Sequence, residues 1–459
     1  MLTPEPRPTG GVPGMARLTA VTLAGLGADV DCYFPVENEP PESHEAFAAH
    51  LPNLQWLPCD LGWRWSGWYA DAHRRPLLTN ASQLLNRAGA ASVIGRRLQV
   101  EHHRRPYDVV YRFSTIELIG LRHRLARLPP VVLHPEVHAA GEWAWLVRER
   151  ADIDRCTTAA KRRAVELLMR RRASTQHGDL HAVARVITPS DRFAEHLSLD
   201  HGLSPRSMST VANPIDLERF HPRNRVGLRP RGNVVFVGRI AVRKGISDLV
   251  DLSHRFATDT DGFATADDGF AAARPLAPIG RQLHLDLIGG PSHWSDLRPL
   301  LEDLHPDTAT YHGSLPLDRV AEALADADLV VQPSAYEPFA LTVGEALASG
   351  TPVVVTTEVG AGEHLHPDVC RRVPPHDGEA FHAAVTALAA EMGNPARAAT
   401  LRTLARREAE RLFAPATVAQ QLLDVLGSVV GKSSTHPTSG PPYDPSEPDQ
   451  PMPARAATP

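Results

Sequence analysis

Short apolar runs alternate with longer amphipathic segments along most of the chain. This alternation is typical of strands and helices in parallel α/β layers. The runs predict strands over 28–34, 54–57, 107–111, 130–133, 185–188, 208–212, 233–237, 283–288, 309–312, 329–332 and 352–356. The pattern therefore predicts an α/β protein with two doubly wound parallel sheets, one in each half of the chain.

Changes in composition predict the domain boundaries. The Arg- and Pro-rich segment 223–232 is predicted to be a linker between an N-terminal domain, 1–222, and a C-terminal domain, 233–412. A C-terminal helix over 413–430 is expected to pack back on the N-terminal domain. The low-complexity stretch 258–281 is predicted to be a surface insertion. The tail 431–459, rich in Pro, Ser and Thr, is predicted to be disordered.

The start of the first domain departs from the usual order of elements. A nucleotide-binding α/β domain normally begins with a buried strand that leads into a glycine-rich loop. Here Gly10, Gly11 and Gly14 follow only nine residues, three of which are proline. Because proline cannot donate to a strand ladder, we expect the first strand to be missing. A truncated gene model explains this most simply.

Composition excludes several classes of protein. The chain of 459 residues is 42% hydrophobic and 22% charged, as expected for a globular protein of two domains. It has neither a run of about 18 apolar residues nor the apolar core of a signal peptide. Its four cysteines form no CxxC pair, so neither a disulfide framework nor a zinc site is indicated. Secreted, collagen-like and integral-membrane proteins are excluded, and the cytoplasm is the expected location.

The charge distribution bears on partners. Residues 51–225 carry 27 basic and 17 acidic side chains, an excess too diffuse for a nucleic-acid arm. It favours an anionic acceptor, or peripheral contact of the N-terminal domain with the inner face of a membrane. Four tryptophans at positions 56, 63, 65 and 68 could stack on an acceptor or sit at a membrane interface. Core packing explains them equally well.

Two carboxylates form the first candidate site. Glu337 follows the strand 329–332, and Glu345 comes eight residues later in the first turn of a predicted helix. Ligands of doubly wound sheets bind beyond the carboxyl ends of strands, against helix N-termini. Carboxylates there can accept hydrogen bonds from sugar or ribose hydroxyls. For Glu345 a capping box, Thr342 to Glu345, is the competing explanation.

Two cations form the second candidate site. Arg239 and Lys244 lie in GRIAVRKG, directly after a buried strand. Only three of the 48 basic residues are lysines, so a compact ammonium group at position 244 is informative. Cations five residues apart, flanked by glycines, suit a diphosphate. A solvated turn is the alternative.

These segments resemble the retaining glycosyltransferases of family 4, also called glycosyl transferases group 1. FVGRIAVRKG, LIGGP and ADADLVVQPSAYEPFALTVGEALASGTPVVV are similar to the family's donor-domain motifs. ITPSDRFAEHL, VANPIDLERFHP and GGVPGMARLTAVTLAGLGADV resemble weaker motifs of its first domain. The resemblance implies the GT-B architecture, in which two Rossmann-like domains face a cleft.

The resemblance also implies roles for individual residues. Arg239 and Lys244 would neutralise the donor diphosphate, Glu337 would contact the transferred sugar, and Glu345 would hold the ribose. The backbone N–H groups of Phe339, Ala340 and Leu341 would face sugar and phosphate, and Gly11 would lie near the phosphates. His138 would lie near the reacting sugar, with His134 as its competitor. Ala340 stands where the family usually has glycine.

The implied reaction is transfer of a sugar, with retention, from a nucleotide-diphosphate sugar to an unidentified acceptor. The donor is a co-substrate, and we expect no cofactor and no metal. Asp-x-Asp, which can hold a divalent cation, occurs four times at scattered positions and is discounted. A sugar-nucleotide epimerase, a phosphorylase and a non-catalytic sugar-nucleotide-binding protein remain alternatives. An oxidoreductase is disfavoured because the glycines lack GxGxxG spacing.

Overall fold

A computed structural model of the chain describes residues 1–6, 11–35, 51–59, 92–114, 128–223, 232–264, 282–292 and 296–430. Most of the predicted linker, most of the predicted insertion and the whole predicted tail lie outside these ranges, as do Trp63, Trp65 and Trp68.

The N-terminal part contains two groups of parallel strands. β1 (Val30–Pro35) pairs with β2 (Leu54–Cys59). The second group has the order β3-β4-β5-β6, which are Val110–Phe113, Val131–His134, Arg185–Thr188 and Met208–Thr210. Nearly every residue of β3, β4 and β5 is buried, so these strands form the centre of a sheet covered on both faces.

Leu2 joins the two groups. It forms parallel bridges to Tyr33 in β1 and to Arg112 in β3. The Leu2 N–H donates to the Tyr111 carbonyl at 2.8 Å, and the Phe113 N–H donates to the Leu2 carbonyl at 2.8 Å. The prediction that nothing before the first helix joins the sheet is therefore wrong. Residues 1–3 lie between β1 and β3. Pro4 comes after the paired residues and therefore does not interrupt the ladder.

The C-terminal part contains one six-stranded parallel sheet of order β12-β11-β10-β7-β8-β9. These strands are β7 (Gly232–Val237), β8 (Leu283–Ile288), β9 (Ala309–Gly313), β10 (Leu329–Gln332), β11 (Val353–Thr356) and β12 (Cys370–Val373). The order reverses between β10 and β7, which makes the loops after these two strands the topological switch point where ligands of such sheets bind.

Helices cover both sheets. Their bounds are α1 (Val12–Gly25), α2 (92–104), α3 (Ala139–Arg148), α4 (Arg150–Cys156), α5 (Ala159–His181), α6 (Asp191–His201), α7 (Ile246–Ala264), α8 (Leu317–Asp326), α9 (Leu341–Ala348), α10 (Gly378–Gly393), α11 (Pro395–Phe413) and α12 (Pro415–Val429). Ser190 caps α6, as its position predicts: its Oγ accepts from the Phe193 N–H at 3.1 Å.

The last two helices cross from one part to the other. α11 packs in the C-terminal core, whereas α12 shares a hydrophobic cluster with α1 that includes Met15, Leu23 and Leu422. Among the described helices, the stretch Pro395–Val429 is long and apolar enough to cross a membrane by length and composition, with a mean hydropathy of 1.2 in its best window. Its division at Ala414 and its packing also fit helices of a folded core.

We predict that Leu2→Ala lowers the free energy of unfolding by about 2–5 kcal/mol, because the side chain is fully buried between two strands. Urea unfolding followed by circular dichroism measures the change. Leu167→Ala, on the exposed side of α5, is the control and should change it by less than about 0.5 kcal/mol. Equal effects of the two substitutions would contradict the central placement of Leu2.

Candidate active site in the interdomain cleft

The loop between β7 and α7 carries the candidate cations. It runs from Gly238 to Gly245 and includes a 3₁₀ turn over Val242–Lys244. Gly245 has φ of +73°, and a Cβ there would lie 2.2 Å from the Pro333 carbonyl oxygen. Only glycine therefore lets this loop approach the loop after β10, which carries Glu337. The close approach brings the cations and the carboxylate together.

Glu337 lies between two cations. Its Oε2 contacts Arg243 Nη1 at 2.7 Å and also Lys244 Nζ. Burial alone would raise the pKa of Glu337, but Lys244 and Arg243 outweigh it and lower the pKa to about 2. No hydrogen bond or ion pair joins the other oxygen, Oε1, to a described residue. Glu337 is thus ionised and keeps one oxygen for a ligand hydroxyl.

Lys244 is buried rather than solvated, which removes the alternative of an ordinary turn. Burial lowers its pKa to about 8; Glu337 opposes this decrease and Arg243 adds to it. The group is still charged at neutral pH. Because Lys244 shares the carboxylate of Glu337 with Arg243, its charge is only partly neutralised. It could therefore still bind a doubly charged diphosphate.

Arg239 is the exposed member of the loop. Among the described residues it has no hydrogen-bond or ion-pair partner. It lines an opening between α3 and the loop 238–245, here called the cation loop. Lys244, Arg243, Glu142 and Trp145 line the same opening. A cation without a partner at such a place is available to an anionic ligand.

Glu345 and Gly11 line a second opening between the two parts of the chain, with Asp216, Leu317 and Leu341. Gly11 precedes α1 and has φ of +76°, with open space where a Cβ would be. Burial and the nearby Asp216 raise the pKa of Glu345 to about 7. Its carboxyl group forms no hydrogen bond or ion pair within the described ranges, so its oxygens are also available for hydrogen bonds with a ligand.

The predicted capping box is absent. α9 begins at Leu341, its N-cap residue is Ala340, and no side chain caps it. The Thr342 hydroxyl donates instead to the Val237 carbonyl at 3.2 Å. Glu345 is therefore not needed to cap α9. In the described part of the chain, the N–H groups of Phe339, Ala340 and Leu341 have no acceptor, as expected of a helix N-terminus open to a ligand.

The two candidate histidines are both buried. His134 Nδ1 shares a hydrogen bond of 2.7 Å with the Tyr111 hydroxyl, and its Nε2 lies 3.3 Å from Glu136 Oε1. His138 has no exposed surface, and its Nδ1 lies 2.6 Å from the Tyr336 hydroxyl. The contact of His138 with the reacting sugar stays a prediction, and in this arrangement the ring has no surface open to a ligand.

Comparison with known proteins finds relatives of the part of the chain that holds most of this site. The family model "Glycosyl transferases group 1" matches residues 231–391, which include the cation loop and both carboxylates. This part of the chain is therefore similar to that family. D-inositol 3-phosphate glycosyltransferase of Rhodococcus opacus is 30% identical over 301 residues, which cover 61% of this chain and 63% of that protein. The chain therefore spans less than two thirds of that relative.

Solved structures extend the likeness to both domains. Sucrose-phosphate synthase from Thermosynechococcus elongatus matches with a TM-score of 0.65 and 19% identity, over 93% of this chain and 98% of that one. Anabaena Alr3699/HepE, solved in complex with UDP and glucose, matches with a TM-score of 0.57, 16% identity and the same coverage. The GT-B architecture predicted from the sequence is confirmed.

Two residues that contribute to this site, Arg243 and Tyr336, were not predicted. Arg243 links Glu337, the Tyr336 carbonyl oxygen at 3.1 Å and, at 3.7 Å, Glu142 of α3. Its position beside Lys244 is the only sequence feature that marks it. Tyr336 is buried and contacts the other domain, which its place before Glu337 does not reveal.

We predict that Ala340→Gly raises the free energy of unfolding by up to about 1 kcal/mol. Ala340 has φ of +77°, which costs an L-residue about 1–2 kcal/mol, whereas the greater entropy loss of glycine offsets about 0.5–1 kcal/mol. Thermal unfolding measures the difference. Ala323→Gly, inside α8, is the control and should lose about 1 kcal/mol; the same loss for Ala340→Gly would contradict the strain.

Proposed function

We propose that the chain is a retaining glycosyltransferase that moves a sugar from a nucleotide-diphosphate sugar to an acceptor hydroxyl without a metal ion. The observation that carries the proposal is a set of polar groups of the C-terminal domain that have no partner among the described residues and lie at two openings toward the N-terminal domain. Arg239, Glu337 Oε1 and Glu345 belong to this set, with the free N–H groups at the start of α9. Together they match a ligand that combines hydroxyls with a diphosphate.

The charges favour departure of a diphosphate. As the bond from the anomeric carbon to the diphosphate breaks, negative charge develops on the leaving oxygen and positive charge on the sugar ring. Arg239 and Lys244 lie where they could stabilise the first, and the ionised Glu337 lies where it could stabilise the second. Arg239 and Lys244, with Arg243 beside them, would meet the charge that a divalent cation meets in other glycosyltransferases, so the proposal includes no metal.

The comparisons support the same reading. The relative from Rhodococcus opacus is named as a glycosyltransferase, and Alr3699/HepE was solved with UDP and glucose. We propose by analogy that Glu345 accepts hydrogen bonds from the ribose of the donor and that Gly11 lies beside its phosphates. Donor and acceptor would then meet between the two domains.

Release of nucleotide from a panel of UDP-, GDP- and ADP-sugars with EDTA present tests the proposal. We expect slow hydrolysis of one donor, reduced by about 10²–10³ in Lys244→Ala and in Glu337→Ala, as for loss of a group that stabilises a developing charge. Lys161→Ala on α5 and Glu302→Ala on the surface are the matched controls and should keep the wild-type rate.

Other outcomes would replace the proposal. Donor binding without turnover, with candidate acceptors present, would identify a sugar-nucleotide-binding protein. Turnover that requires inorganic phosphate and no nucleotide would identify a phosphorylase, and inversion of a sugar hydroxyl on the nucleotide would identify an epimerase. Activity that EDTA abolishes and a divalent cation restores would overturn metal independence.

The pKa of Lys244 predicts a pH dependence. Because an ammonium group with a pKa of about 8 loses its charge above that pH, kcat/KM for the donor should fall as pH rises from 7.5 to 9.5. Lys244→Arg should be slower at pH 7 but keep its rate to higher pH, since a guanidinium stays charged. The pH profile of donor hydrolysis measures both, and an unchanged alkaline limb in Lys244→Arg would assign the fall to another group.

A further inference from the structure

The N-terminal domain holds the residues on both sides of Glu337. The Tyr336 hydroxyl shares a hydrogen bond of 2.6 Å with His138 Nδ1, and the Ser190 Oγ donates to the Pro338 carbonyl oxygen at 2.7 Å. Both hydrogen bonds are buried and both cross the cleft. The Glu337 side chain pairs with cations of its own domain, and its backbone forms hydrogen bonds with Glu358 and Gly360 of the same domain. Its two neighbours in the chain are therefore held by a domain that the Glu337 side chain does not touch.

The His138 side of this contact is fixed. Gln176 of α5 accepts from the Ala139 N–H at 2.8 Å through its Oε1 and donates to the Val137 carbonyl through its Nε2. The residues before and after His138 are thus held by one side chain. The His138 ring also packs edge-on against Phe193 at 5.7 Å. His138 is thus held within its domain, and its ring has no exposed surface.

In the hydrogen bond between Tyr336 and His138, the tyrosine hydroxyl is the donor. Burial raises the pKa of Tyr336 well above its ordinary value and lowers that of His138 well below its own. Both groups are therefore neutral, and the hydroxyl donates to an unprotonated Nδ1. The His138 Nε2–H then lies toward Asp200 Oδ2, 3.2 Å away.

The packing around the pair leaves no room. Gly141 lies in the first turn of α3, and a Cβ there would be 2.7 Å from His138 Nδ1 and 2.9 Å from the Tyr336 ring. A single methyl group would therefore force the two side chains apart without changing the chemistry of either. The pair forms only if the domains approach as closely as they do here.

We propose that Tyr336 and His138 are positioning residues: their hydrogen bond places Glu337 for reaction when the two domains close. This inference rests on the proposed glycosyltransferase function, and it gives His138 a role through Tyr336 in place of contact with the sugar. The Tyr336 carbonyl oxygen also accepts a hydrogen bond from Arg243, one of the two cations that contact Glu337. Tyr336 therefore contacts both His138 of the other domain and a cation of the site. In this proposal, the site is assembled when the two domains close.

The test compares steady-state kinetics of donor turnover in Tyr336→Phe, His138→Leu and the double variant. We expect kcat to fall about 10- to 100-fold in each single variant, as for a small misplacement of a reacting group, with donor KM changed less than about threefold. The double variant should be no slower than either single one, because both remove the same hydrogen bond. Gly141→Ala should reproduce the loss with both side chains present.

Tyr111→Phe is the matched control. It removes a tyrosine–histidine hydrogen bond of nearly the same length, 2.7 Å, that lies wholly within the N-terminal domain. We expect it to keep the wild-type kcat. Losses that add in the double variant would show that His138 acts on the substrate directly, and a raised donor KM with unchanged kcat would show that Tyr336 contacts the donor. Either result overturns the proposal.

Hydrogen exchange separates this proposal from the proposed function. In Tyr336→Phe the amides of residues 335–341 should exchange at least about tenfold faster than in the wild type, whereas in Tyr111→Phe they should not change. If the wild type turned over no donor, the proposed function would fail. Hydrogen exchange would still show whether the Tyr336–His138 hydrogen bond holds the loop that carries Glu337. Equal exchange in all three proteins would overturn this proposal.

Discussion

One carboxylate oxygen shared by two cations is the constraint around which the cleft is built. Glu337 Oε2 contacts both Arg243 and Lys244 in a site with little solvent. Buried charges are tolerated only when they are paired and hydrogen-bonded. The pairing draws the loop after β7 onto the loop after β10 and requires Gly245 at their contact. The candidate site thus lies where the loops after β7 and β10 meet.

The C-terminal domain could be predicted closely from its sequence. β8 and β10 begin and end at the predicted residues, because each is a mainly apolar run that Gly289 or Pro333 ends directly. β12 was missed because its sequence, Cys370-Arg-Arg-Val373, places two charged side chains in an edge strand that pairs only with β11. An edge strand needs no apolar run.

The N-terminal domain shows what pattern reasoning leaves out. Leu2 lies in the centre of a sheet although three prolines follow it within six residues, because residues 1–3 suffice to bridge two strands that are already in place. Arg243 and Tyr336 could not be predicted, since their importance lies in contacts between residues about 90 to 200 positions apart. The motif residues Arg239, Lys244, Glu337 and Glu345 were recognisable because their spacing is local.

Ser190 performs two tasks with one hydroxyl, and this limits which residues can replace it. As N-cap of α6 it accepts from the Phe193 N–H, a task that Asp or Asn performs as well. As partner of the Pro338 carbonyl it must also donate, which an ionised Asp cannot do. A Cβ on Gly360 would lie 2.3 Å from both oxygens, so that position has no freedom to compensate. Residues 190 and 360 are therefore expected to vary together, if at all, in chains that keep this closed cleft.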